Sequence, residues 1–212
     1  MAYHVVKQGE CMSGIADTYG FFWQALWDHP NNAQLKEKRR NPNVLMRGDQ
    51  VFIPDKRVKE EQGSTAQTHT FRLKGIPCRF NLRLQDAIGK PRAGIRYTLV
   101  VDGKKTTGST GGDGLLSEIV SPNANQAVLT LHLGDGREEK YSLDLAYLNP
   151  ADHASGAQAR LKNLGYHSGE ISGQMDEGTR KALGKFQQDA GLPVTRELDD
   201  ATRDELVRRH GS

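Results

Sequence analysis

The sequence predicts a multi-domain α+β chain built from three small units: a β-α-α-β module, a small β-sandwich and a three-helix bundle. Three observations carry this expectation. Apolar residues recur at helical spacing near both ends of the chain, and between about residues 70 and 148 they alternate with period two. A polar stretch, "DKRVKEEQGSTAQTH", separates the first pattern from the second and has the composition of a linker. The expected boundaries are 1–55, a linker over 56–69, then 70–150 and 151–212. The chain has 212 residues, so each unit has a small core that is only marginally stable alone.

The first unit opens with the extended "YHVVKQG" and closes with "DQVFIPD", both strand-like. Between them, Met12, Ile15, Ala16 and Tyr19 fall on one helical stripe that Gly20 terminates. A second short helix is expected from about Phe22 to Asp28, packing Trp23, Leu26 and Trp27, with Pro30 soon ending it. The middle unit consists of short alternating runs: "RFNLRLQD", "GIRYTLVVDG", "LLSEIV", "AVLTLHLGDG" and "EKYSLDLAYL". Asp102-Gly103 and Asp135-Gly136 mark hairpin turns, because both residue types accept positive φ. Strands at this spacing predict an Ig-like β-sandwich. In the last unit Leu161 and Leu164 share a stripe closed by Gly165. A second helix is expected over 177–190 with Asp176 as N-cap and Ala182, Leu183, Phe186 and Ala190 inward. A third, from about Asp199 to His210, is expected to present Ala201, Leu206 and Val207 to the core.

Composition narrows the function. Hydrophobic residues make up 36% and charged residues 26%, and the 29 bases are interleaved with 26 acids for a net charge of +3. Nucleic acid is therefore not expected as a partner, since phosphate binding needs clustered Lys and Arg. The densest basic run, residues 36–40, reads as a solvated helix face. No window approaches the ~20 apolar residues of a membrane span. The N-terminus lacks the features of a signal peptide, so synthesis is expected to be cytoplasmic, with any periplasmic or exported state reached without one. Cys11 and Cys78, far apart in sequence and in what read as different units, are expected to make neither a disulfide framework nor a zinc site.

Against this background, the residues "YHVVKQGECMSGIADTYGF", Leu45-x-x-Gly48 and Val51-x-Ile53-Pro54 resemble a LysM domain. That resemblance implies a groove for N-acetylglucosamine between two loops. Carried over by position, its residues are Gly9, Glu10, Cys11, Met12, Leu45, Arg47 and Gly48. Cys11-Met12 stands where the family usually has threonine and leucine, and the segment 29–43 is longer than usual. The C-terminal "QARLKNLGYHSGEISGQMDEGTRKALGKFQQDAGLPVT" is similar to the three-helix peptidoglycan-binding domain found beside many cell-wall hydrolases. The candidate contacts there are Tyr166, Gly169, Ser172, Gly173 and Thr179, Ser172 replacing the usual aspartate. The middle unit resembles a transthyretin-like or carboxypeptidase-regulatory sandwich through Gly89-Lys90-Pro91, Ala93-Gly94 and the turn at 111–114. The order of the three units resembles accessory proteins of type VI secretion and phage-tail-like injection systems.

No catalytic, metal or cofactor site is expected. The seven histidines are scattered, with no HExxH among them. There is no Gly-x-Ser-x-Gly elbow, and the carboxylates of the middle unit mostly occupy turns. Two readings stay open: a non-catalytic peptidoglycan binder, and an adaptor whose modules bind a secretion spike or effector protein.

Overall fold

The computed structural model describes residues 2–56, 63, 65–70, 78–86, 88–145, 148–167 and 169–211. Half of the linker expected over 56–69, residues 57–62 and 64, lies outside these residues.

The N-terminal module is β-α-α-β with a further turn and helix inserted before its last strand. β1 (Ala2–Val5) pairs antiparallel with β2 (Gln50–Ile53), Tyr3 opposite Phe52 and His4 opposite Val51. α1 (Met12–Tyr19) ends at Gly20 with φ 70°, and α2 covers Trp23–Trp27. Pro30 does not simply stop α2; it begins a 3₁₀ turn, Pro30–Asn32, that leads into α3 (Ala33–Arg39). Proline suits that first position, where its missing N–H has no helical partner anyway. Leu35 of α3 joins Met12, Ile15, Leu26, Trp27, Leu45 and Val51 in one core.

α3 also corrects the reading of the basic run as a solvated face. Lys36, Glu37, Lys38 and Arg40 are exposed, but the Arg39 side chain is only 7% exposed and makes a two-pronged bond to Asp49, at 2.7 and 2.9 Å. The fully buried Asn32 ties the insertion to the sheet. Its amide donates to the Leu26 and Phe52 carbonyls and its oxygen accepts from the Phe52 N–H at 2.7 Å.

The central unit has two sheets sharing one core. β3 (Cys78–Arg83) pairs with β6 (Leu115–Val120). β4 (Arg96–Val101), β5 (Lys104–Ser109), β7 (Gln126–His132) and β8 (Glu138–Asp144) form a second sheet in the order β5-β4-β7-β8. Tyr97, Leu99, Leu116, Leu129 and Leu131 fill the space between them, with Phe80 and Leu82 packed alongside. Strand β5, "KKTTGS", has no apolar alternation and was not foreseen as a strand; it is recruited by hairpin pairing with β4. Its turn does use positive φ at both Asp102 (48°) and Gly103 (77°). The second turn differs from expectation. Only Gly136 is left-handed there (φ 81°), while the Asp135 carboxylate accepts from the Arg137 N–H.

The C-terminal bundle consists of α4 (Ala154–Asn163), α5 (Glu177–Ala190) and α6 (Asp200–His210), packed around Leu161, Leu183, Phe186 and Leu206. On α6 the inward face is Thr202 and Leu206. Ala201 is exposed and Val207 is 38% exposed, so the apolar reading of that helix was turned by about one residue.

Candidate functional site

Two adjacent loops of the C-terminal bundle are built on one plan. Residues 172–179, "SGQMDEGT", align with residues 195–202, "TRELDDAT", each leading into a helix. In the first, Asp176 caps α5 by accepting from the Thr179 N–H at 2.7 Å; in the second, Asp199 caps α6 by accepting from the Thr202 N–H at 2.8 Å. The Asp176 carboxyl is held below its ordinary range, chiefly by the Thr179 N–H, and the Asp199 carboxyl likewise by Thr202.

A fully buried glutamine anchors each loop. The Gln158 amide donates to Ser172 Oγ, the Gln174 carbonyl and Thr179 Oγ1, while its oxygen accepts from the Gly173 N–H at 2.8 Å. The Gln187 amide donates to Thr195 Oγ1, the Glu197 carbonyl and Thr202 Oγ1, while its oxygen accepts from the Arg196 N–H at 2.8 Å. The residue after the loop's first hydroxyl is left-handed in both, Gly173 at φ 73° and Arg196 at φ 59°. Glycine takes that conformation freely; arginine is held in it by the Gln187 bond.

Residues 155–206 match the family model of a putative peptidoglycan binding domain. The matched unit is a non-catalytic binding module, and it gives the chain a general peptidoglycan-binding role. No significant match to a curated protein or to a solved structure was found. Within the peptidoglycan-binding module, Gly169 and Ser172 are exposed and Gly173 is half-buried, on the loop between α4 and α5. Thr179 is fully buried and holds that loop through Gln158 and Asp176, so its role is to shape the surface. Tyr166 packs edge-on against Phe186, with centroids 5.4 Å apart, and sits beside the Lys185 ammonium. Burial, then the Asp189 carboxylate, raises its phenol above the ordinary value. The paired glutamines were missed as a device in the sequence, although the 23-residue offset between the two Ser/Thr-x-x-x-Asp-x-x-Thr strings is visible there.

In the N-terminal module, Met12 and Leu45 are buried in the core, Gly9, Glu10 and Cys11 are half-buried, and Arg47 and Gly48 are exposed. The two loops meet through the sheet: the Gly48 N–H donates to the Val6 carbonyl at 2.8 Å, and Gly9 and Gly48 have φ of 86° and 92°. Glu10 is already engaged, accepting from the Lys7 N–H at 2.8 Å and lying 2.7 Å from His4 Nε2. Burial raises its pKa, but the Lys7 N–H and His4 outweigh this and hold the carboxyl below its ordinary value.

The same side of the module touches the rest of the chain. Gln8 donates to Asn149, Asp17 accepts from Asn123 at 3.1 Å, and Arg39 lies 4.0 Å from Asp152. Cys11 is the N-cap of α1, and Cys78 opens β3 opposite Val120, the residue before the turn that carries Asn123.

A separate polar concavity lies on the outer face of the four-stranded sheet, lined by Arg96, Thr98, Thr107, Ser109, His132 and Glu138. Its histidine is held between Thr98 Oγ1 at 2.9 Å and Glu138 at 3.0 Å. Among the described residues, no group of three or more His, Cys, Asp or Glu is placed to hold a metal ion, and no helix is long and apolar enough to cross a membrane.

Proposed function

We propose that this chain is a non-catalytic cell-wall binding protein whose C-terminal module grips peptidoglycan and whose LysM-like N-terminal module adds a contact to N-acetylglucosamine. In this reading it is an accessory of a type VI secretion-like machine. The observation that carries the first part is the rigid pair of loops, each locked by a buried glutamine and an aspartate cap, in the region matching the peptidoglycan-binding family. Such preorganisation lowers the ordering cost of binding a repetitive polymer. For the N-terminal contact, exposed Arg47 and Gly48 are the available groups. The machine is proposed from the resemblance of "GECMSGIADTYGFFWQALWDHPNN" to the LysM variant of such systems.

Co-sedimentation of the full chain with purified sacculi tests this. The chain should pellet, because two weak sites on one molecule gain from effective concentration. Ile171→Glu, an exposed change beside Ser172, should weaken pelleting by about tenfold, the loss of roughly 1.4 kcal/mol. Arg47→Glu should weaken it less. A chain that stays wholly in the supernatant sinks the glycan reading.

A second reading has its own support. The loop after β1 is engaged by Asn149, and Glu10 by its own module. This favours an adaptor whose N-terminal module docks protein, a spike or effector component, while the C-terminal module alone holds the wall. Pelleting that is lost with Ile171→Glu but untouched by Arg47→Glu selects it.

A further inference from the structure

Helix α1 presses on the central unit one turn after Cys11. A Cβ added at Gly14 would sit 2.7 Å from Asn123 Oδ1 and 3.1 Å from the Pro122 carbonyl oxygen. The Asn123 amide reaches on to Asp17 at 3.1 Å. Cys11, the extended N-cap of α1, stands immediately before the turn of helix that carries Gly14. The turn that Gly14 meets follows directly on β6, whose last residue, Val120, is the register partner of Cys78 at the start of β3. Cys78 lies on the same strand face as Phe80 and Leu82, at the end of the core nearest that turn. Both cysteines are free and half-buried.

We propose that Cys11 and Cys78 are a disulfide pair: in an oxidising compartment they join covalently and staple the N-terminal module to the central sheets. The co-reactant is a small or protein disulfide acting by thiol–disulfide exchange. The Cys11 thiolate attacks it, forming a mixed disulfide and expelling one thiolate, which takes up a proton. The Cys78 thiolate then attacks the Cys11 sulfur, expelling the second. Two protein thiols lose two electrons and two protons, and the oxidant disulfide becomes two thiols. Burial, and then the neighbouring Cys11, raise the Cys78 thiol above its ordinary value, so less of it is thiolate and its attack is the slower of the two steps. The bond belongs to a compartment where disulfides persist; in a reducing cytosol the pair stays open.

The test is to incubate the reduced full chain at low concentration with oxidised glutathione and digest it under non-reducing conditions. The expected result is a cross-linked peptide joining Cys11 to Cys78 in monomeric protein, both thiols disappearing together. Cys11→Ser and Cys78→Ser should each retain one thiol and form no intramolecular cross-link. Cys11 and Cys78 carrying separate glutathione adducts, a cross-link found only between chains, or both thiols unreacted in folded protein overturns the proposal.

Discussion

Gln158 and Gln187 carry more of the C-terminal surface than any apolar residue near them. Each is fully buried and spends both ends of its amide on one loop, so truncation strands several groups at once. Leaving buried donors and acceptors unpaired costs far more than one net hydrogen bond contributes. Gln158→Leu should therefore lower stability by about 3 kcal/mol in urea unfolding and abolish sacculus binding. Gln187→Leu should match it in stability. A cost under 1 kcal/mol at both positions would show that the loops are held some other way.

A second residue-scale device is the Arg39–Asp49 pair. Burial raises the Asp49 pKa, but the Arg39 guanidinium and the Met46 N–H outweigh this and hold the carboxyl below its ordinary range. A depressed folded value means the pair's contribution is complete above the unfolded pKa and is lost as pH falls through the folded one. Unfolding midpoints should thus drop below about pH 4, and Asp49→Asn should flatten that acid limb. Arg39→Ala, which leaves the buried carboxylate without its cation and with only the Met46 N–H, should cost about 3 kcal/mol at neutral pH.

At the scale of elements, the caps behave as local chemistry predicts. Asp199→Ala removes the acceptor for the Thr202 N–H and should cost about 1 kcal/mol, the usual worth of an N-cap. Asp176 was foreseen as a cap because aspartate at that position before an apolar stripe has only one good use. The boundaries of α1 and α5 were legible for the same reason: strong stripes ended by glycine. Helix α3 was not, since its only buried apolar residue is Leu35 and its hold on the sheet comes through Asn32 and Arg39, polar residues whose pattern imitates a solvated face. Strand β5 escaped because pairing with β4, and not its own alternation, makes it a strand. On α6 a threonine, not an alanine or valine, occupies the core face, since its hydroxyl completes the Gln187 network. The loop candidates divide on the same ground. Position in a motif nominated the loops, but which members face solvent depends on packing within each module, where Met12 and Thr179 turn inward.

At the scale of the whole molecule, the three units do not meet at random surfaces. The N-terminal module places α1 and the loop before it against the 121–124 turn and Asn149, so the face proposed for glycan is also a face for its own chain. The contact at Gly14 is close enough that only a hydrogen fits without displacement. Gly14→Gln adds a side chain directed at the Pro122 carbonyl while leaving the α1 hydrogen bonds intact, and helix propensity favours the change. The expected effect is separation of the two units with both cores preserved. Small-angle scattering of the variant should show a larger radius of gyration than the parent, with far-ultraviolet circular dichroism unchanged. The yield of the Cys11–Cys78 cross-link should fall in parallel, because the same contact aligns the thiols. An unchanged radius with undiminished cross-linking would mean that Gly14 does not set the junction, and that the modules are held together through Asn149 and Asp152 instead.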